Sequence, residues 1–325
     1  MNNKDTEEEV NEFKKLDIII INWNSGSQLR ECLSTVNIND INGFELSKVI
    51  VVDNASADDS LEGIEQLNLP VKIIRNSKNL GFGAACNQGA LCSNADYLLF
   101  LNPDTRLNKE SLVKPLLYME AEDNRGVGVC SIKLVDDSGR PGRTCTRLPK
   151  PRHFFVKIMG LDHIFPKIFK SHFMTEWDHN DTRQVEHVIG AFYFVRRKVF
   201  IDAGMFDERF FVYLEDLDLS LRIKKLGYSI QYLADVEAYH KGGGTSEQVK
   251  ATRLFYSIRS RIIYGFKHFS FISAFLLLLA TYSIEPIARF ALALLRRSSK
   301  EMMETAQGYK MLIKNLPKIL KGINE

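Results

Sequence analysis

The sequence predicts an α/β fold, with a mainly parallel central sheet flanked by helices and a C-terminal helical extension. Three observations carry that expectation: four short apolar runs by residue 101, helix-length stretches between them, and a change of composition beyond residue 245. Runs apolar throughout, such as Ile18-Ile19-Ile20-Ile21, suit strands buried on both faces. Strands alternating with helices at this spacing imply βαβ units with right-handed crossovers.

The first strand starts at Leu16, after a polar, acid-rich tail at 1–15. Val49-Ile50-Val51-Val52, Val71-Lys72-Ile73-Ile74 and Tyr97-Leu98-Leu99-Phe100-Leu101 are the next three. Helices are expected between them at 27–36, 60–66 and 83–93. A strand at 128–134 leads into a loop rich in Pro, Gly and Arg at 138–152 and an aromatic stretch to Trp177 with no assignable pattern. A strand-like run at 187–195 and a helix at 216–226 closed by Gly227 follow. The expected division is a tail at 1–15, one domain at 16–245 and a helical region at 246–325.

A chain of 325 residues has room for one large domain with such an appendage. Its net charge of +3 is too small for the basic stripe that binds nucleic acid, so no such partner is expected. Five cysteines, without paired-ligand spacing and with no cleavable signal read ahead of them, suit buried reduced thiols in a cytoplasmic protein.

In doubly wound sheets ligands bind beyond the carboxyl ends of the strands. Three strands here end in polar clusters: Asn22-Trp23-Asn24-Ser25, Asp53-Asn54-Ala55-Ser56 and Asn102-Pro103-Asp104. Any one of them reads as caps and turns; together they should face one crevice. The segment from Asn79 through Gly81, Phe82 and Gly83 to Asn87 is a glycine-rich entry to a helix, whose free N–H groups suit a phosphate. It lacks the dinucleotide spacing and the P-loop lysine. Asp104 is the candidate ligand for a hard divalent ion, Mg²⁺ or Mn²⁺, bridging substrate phosphates. Further on, Glu215, Asp216 and Asp218 crowd a helix start, where the dipole favours anions and where a carboxylate can serve as general base. Asp218 with Arg222 four residues on reads as a structural pair. His240 follows a strand and precedes a glycine turn, a place from which it could reach the metal or the leaving phosphates.

Taken in order, Ile20-Ile21-Asn22-Trp23-Asn24, Val51-Val52-Asp53-Asn54-Ala55-Ser56, Asn79-Leu80-Gly81-Phe82-Gly83, Leu101-Asn102-Pro103-Asp104, Gly190-Ala191 and Tyr213-Leu214-Glu215-Asp216-Leu217-Asp218 resemble inverting glycosyltransferase family 2, and within it the rhamnosyltransferase-like branch of bacterial surface polysaccharide synthesis. The resemblance spans about 16–245 and implies a GT-A fold, a nucleotide-sugar donor and a glycan or lipid-linked acceptor. It places Asp53 near the base or ribose, and Asn22, Asn24, Asn54, Asn79, Gly81, Phe82, Asn87 and Asn102 around the donor. Asp104 and His240 fall at the metal, Asp216 at the catalytic base and Glu215 at its acidic neighbour. Asn102 stands where the family's Asp-x-Asp motif has its first aspartate, which leaves Asp104 as the motif's sole carboxylate. A dTDP-rhamnose donor is the expectation from the branch.

Beyond residue 245, basic residues flank the apolar run 271–284, which Glu285-Pro286 interrupts short of the roughly 20 residues that span a bilayer. An interfacial helical pair is expected, placing the protein in the cytoplasm or peripherally on the inner face of the membrane through 253–300; a packed hairpin or homodimer interface is the alternative. Two rival functions share these features. A sugar nucleotidyltransferase would carry a Gly and Lys/Arg-rich loop after the first strand, and 22–28 has no basic residue. An inactive scaffold subunit is permitted by Asn102 and opposed by Asp104, Glu215, Asp216 and His240.

Overall fold

In a computed structural model of the chain, residues 13–36, 43–169, 171–242 and 250–324 are described. Most of the expected tail and the boundary at residue 245 lie outside them. The strands are β1 (Lys14–Asn22), β2 (Phe44–Asp53), β3 (Val71–Arg75), β4 (Tyr97–Leu101), β5 (Thr105–Leu107), β6 (Val127–Val135), β7 (Cys145–Thr146), β8 (Arg183–Val185), β9 (His187–Val188), β10 (Phe192–Arg196) and β11 (Ser229–His240). The helices are α1 (Gln28–Ser34), α2 (Phe82–Leu91), α3 (Val113–Glu120), α4 (Pro151–Ile158), α5 (Leu161–Ile164), α6 (Arg197–Asp202), α7 (Glu215–Lys225), α8 (Lys250–His268), α9 (Phe271–Leu295) and α10 (Ser299–Asn324).

The main sheet runs β3-β2-β1-β4-β10-β6-β11-β5, with β8 beside β11. β3, β2, β1 and β4 are parallel, as are β6 and β11; β10 lies antiparallel between the two sets. Continuous apolar sequence explains the centre: β4 is buried at all five positions, and β1 from Leu16 to Asn22. One face packs on α1 and α3, the other on α2, α6 and α7. All five cysteines are free, and all but the half-buried Cys92 are buried.

Four expectations need correction. At 60–66 there is a bend and a 3₁₀ turn at Ile64–Gln66 in place of a helix, because Gly63 takes a left-handed φ of 72°. The run 187–195 is broken into β9 and β10 around Gly190, whose N–H leaves the ladder for Asp216. The unassigned region forms β7, α4 and α5, with Trp177 packed against Tyr232 of β11. Finally, α9 runs unbroken for 25 residues through Pro286, long and apolar enough to cross a membrane by length and composition. Glu285 does not break it, because its carboxylate turns inward: it is 2% exposed and takes Arg261 from α8 and Arg289 one turn on.

A candidate donor site at the carboxyl edge of the sheet

Strand register decides which polar residues meet. Asn22 pairs with Asp53 and Ile20 with Leu101, so the ends of β1, β2 and β4 lie side by side. The Asn22 amide donates to Asp53 Oδ1 (2.8 Å), Ser60 Oγ (2.8 Å) and Ser56 Oγ (3.0 Å), and its Oδ1 accepts from Ser25. Asn24, at φ 50°, accepts from Ala57 N–H at 2.7 Å. This network crosslinks the first two strand ends beneath a cavity of about 640 Å³, a volume suited to a nucleotide-sized ligand.

Asn54, Asn79, Gly81, Phe82, Asn102, Asp104 and His240 line that cavity; Asn22, Asn24 and Asp53 support it from behind. Asn87 lies elsewhere. It is buried and holds the Phe206 backbone through both amide groups, with Glu208 beside it. The glycine-rich entry is also less open than its sequence suggests. The N–H groups of Leu80, Gly81 and Phe82 already donate to Asn54, Asn79 and Phe211. Gly81 is required for another reason: at φ 92° its Cβ would stand 2.5 Å from the Phe211 carbonyl oxygen, so only glycine allows α2 to dock on the 206–214 loop.

Antiparallel pairing of β11 with β5 sets His240 opposite Thr105, directly after Asp104. His240 Nε2 is consequently 3.3 Å from Asp104 Oδ1. Burial would raise the Asp104 carboxyl, but the hydrogen bond and charge of His240 outweigh it and hold the carboxyl below its ordinary value. A carboxylate and an imidazole converging on one cavity fit a divalent ion that completes its shell with phosphate oxygens and water. No cluster of three or more His, Cys, Asp or Glu side chains occurs among the described residues, so the protein would supply only this pair.

The loop before α7 brings the acidic pair to the cavity edge. Tyr213 and Leu214 both adopt left-handed φ (70° and 68°) without being glycine, a conformation held by contacts from two sides. Phe211 accepts from Phe82 N–H and stacks on Tyr256 of α8 at 4.4 Å, while Ser260 and Arg259 donate to the carbonyls of Val212 and Arg209. The chain then enters α7 with Glu215 and Asp216. Asp216 Oδ2 accepts from Gly190 N–H and its Oδ1 from Leu217 N–H, each at 2.8 Å. A Cβ on Gly190 would stand 3.3 Å from the Phe82 ring on the cavity wall and 3.7 Å from Asp216 Oδ2, so Asp216 adjoins that wall without lining the cavity itself.

The two carboxyls differ. Glu215 is 5% exposed, and its Oε2 has no hydrogen-bond partner among the described residues. Burial, and then the charge of Asp216, pushes the Glu215 carboxyl well above its ordinary value. Asp218, read from sequence as structural, is bound by Arg222 (2.7 Å), Lys267 (2.7 Å) and His268 (2.6 Å).

Sequence reasoning expected helix beyond residue 245 but missed the part that α8 plays in the site. Its Thr252, Arg253 and Tyr256 complete the cavity wall. Arg253, read as one basic residue of a tail, lines the same cavity as Asp104 and His240. No motif spacing announces it, because only the packing of α8 on the 206–214 loop brings it there.

Residues 17–204 match the family model described as Glycosyl transferase family 2. A curated relative from Haloferax volcanii, the low-salt glycan biosynthesis hexosyltransferase Agl10, is 24% identical over 229 residues, covering 69% of this chain and 66% of its own length. The N-acetylglucosaminyl-diphospho-decaprenol L-rhamnosyltransferase of Mycobacterium tuberculosis is 24% identical over 252 residues, 74% of this chain and 80% of that protein. Among solved structures, the mannosyltransferase PcManGT from Pyrobaculum calidifontis, crystallised with GDP-Man and Mn²⁺, superposes with a TM-score of 0.52 at 15% identity, covering 96% of this chain and 85% of that one. At that identity the likeness is one of fold, and the fold is the GT-A fold the resemblance implied.

Proposed function

Since this chain belongs to glycosyl transferase family 2, we propose that it is a metal-dependent inverting glycosyltransferase, moving a sugar from a nucleotide-sugar donor to a hydroxyl of a glycan or lipid-linked acceptor in surface polysaccharide synthesis. The observation that carries the reading is the convergence of Asp104, His240 and Arg253 on one cavity with Asp216 at its edge. The name of the mycobacterial relative favours L-rhamnose, carried by dTDP, as the donor sugar. In this reading 16–245 is the catalytic domain, and 246–325 is a helical region that also closes the donor cavity.

The donor's base and ribose lie over the Asn22–Asp53 network, with its diphosphate between Asp104, His240 and Arg253. Asp104 and His240 would hold a divalent ion, which would supply charge neutralisation to the departing diphosphate. Asp216 accepts the proton of the acceptor hydroxyl while that oxygen bonds to the anomeric carbon and the carbon–diphosphate bond breaks. One displacement inverts configuration without a covalent enzyme intermediate. Glu215 is buried away from the cavity and its carboxyl is pushed up by burial, so the assignment falls on its neighbour.

Titration calorimetry with UDP, dTDP and GDP tests the site. One of them is expected to bind with Mn²⁺ and to weaken at least tenfold in EDTA, in Asp104→Ala and in Arg253→Gln, the scale on which a charge-assisted contact acts. Unchanged affinity in both variants would remove the diphosphate from this cavity.

A lipid-linked acceptor also needs a surface. Ile272, Phe275, Leu276, Leu279 and Ile287 of α9 are all exposed, and Arg296, Arg297 and Lys300 follow them. An apolar helix face with a basic end suits peripheral contact with an anionic bilayer. Ile287→Glu is expected to lower co-sedimentation with phosphatidylglycerol vesicles several-fold. If binding is unaltered, or if the variant instead splits a homodimer by light scattering, the face serves another contact.

A further inference from the structure

His187 is a buried histidine that neither the metal pair nor the cavity uses. It lies on β9, is 3% exposed, and sits against the face of α7 that carries Asp216 and, one turn on, Ser220. Its Nδ1 is 3.0 Å from Ser220 Oγ, and its Nε2 is 3.9 Å from Asp216 Oδ1. Ser220 Oγ is in turn 3.2 Å from the hydroxyl of Tyr193, a fully buried side chain on β10.

The hydrogen-bond chain fixes the histidine's tautomer. Among the described residues, Ser220 is the only hydrogen-bond partner of the Tyr193 hydroxyl, so that O–H donates to Ser220 Oγ. Ser220 Oγ–H is then free to donate to Nδ1. The neutral imidazole therefore carries its hydrogen on Nε2, the nitrogen that faces Asp216. Two backbone N–H groups already hold this carboxylate; the Nε2–H faces it from 3.9 Å, beyond hydrogen-bond reach in this arrangement.

We propose that His187 is the positioning residue of the base: oriented by Tyr193 and Ser220, its Nε2–H supports the ionised Asp216 carboxylate and turns its free lone pair toward the acceptor hydroxyl. The inference rests on reading Asp216 as the base. No proton passes through His187; the acceptor proton goes to Asp216 and from there to solvent. The small gap from 3.9 Å to a bond closes as the acceptor settles, in keeping with catalytic hydrogen bonds that are long in free enzymes.

Other titratable groups face this pair. Glu215 and the Cys86 thiol of α2 lie against Asp216, and His172 lies near His187. Burial raises the Glu215 carboxyl and the Cys86 thiol and lowers both His172 and His187, with Asp216 partly offsetting this for His187.

The test is the pH dependence of kcat/KM, read as nucleoside diphosphate release from whichever of dTDP-rhamnose, UDP-N-acetylglucosamine and GDP-mannose the full-length protein turns over. His187→Phe is expected to shift the acid limb upward by about one pH unit, so that activity well below the limb falls about tenfold more than activity on the plateau. His187→Gln, which keeps an N–H donor, should restore most of that loss. A merely structural role would lower the melting temperature and the amplitude without moving the limb. An unmoved limb in His187→Phe, with Asp216→Asn inactive, overturns this proposal alone; an active Asp216→Asn overturns the reading of the base and this proposal with it.

Discussion

Asp216→Asn should cut turnover about a thousandfold while leaving nucleoside diphosphate affinity within about twofold. Removing a general base costs roughly 10²–10⁴ in rate, and Asp216 has no rival here. Glu215 is buried with its carboxyl pushed up, and Asp218 is already bound by Arg222, Lys267 and His268 in the interior. The amide keeps the shape of the side chain and can still accept from Gly190 N–H, so the loop and cavity should survive. Steady-state kinetics beside calorimetric binding checks this. A variant that loses affinity and turnover in parallel would place Asp216 in donor binding instead of proton transfer.

The second large effect is on stability. Asp218→Asn should destabilise the protein by about 3–5 kcal/mol, because it leaves the Arg222 and Lys267 charges without their buried partner and weakens the bond to His268. The same cluster ties α7 to α8 through Lys267, which also reaches Asp207 at 2.6 Å. Burial would raise both carboxyls. His268, Arg222 and Lys267 outweigh it at Asp218, and Arg209 and Lys267 at Asp207, so both are held below the ordinary range. A depressed carboxyl contributes its stability fully above the unfolded value of about 4, and loses it as pH falls toward the folded one. The wild-type midpoint in urea should therefore fall on acidification from pH 5 to pH 3, and fall less steeply in Asp218→Asn. Equal slopes would detach the cluster from acid stability.

Much of the catalytic half was legible because its signals are local. Continuous apolar runs at β1, β2 and β4 fix a parallel sheet, and parallel register then brings Asn22, Asp53 and Asn102 to one edge. Asp104 and His240 were separately readable as strand-end residues, although their meeting depends on the antiparallel pairing of β5 with β11. The missing parts are non-local. Asn87 looked like part of a phosphate loop, and only the fold turns its amide to Phe206. Arg253 needed the docking of α8, and His187 needed the Gly190 break that sets β9 against α7. At α9 the sequence misled through Glu285-Pro286, since a charge neutralised from a neighbouring helix is no obstacle to burial.

The most direct test of the central claim is nucleoside diphosphate release by the intact protein from a panel of nucleotide sugars, with bacterial membrane extract as acceptor source, in Mn²⁺, Mg²⁺ or EDTA. The account predicts metal-dependent release from one donor, silenced by EDTA and absent in Asp216→Asn. Turnover of none of the donors, with no nucleotide bound in either metal, would contradict it and leave a glycosyltransferase fold used for something other than transfer.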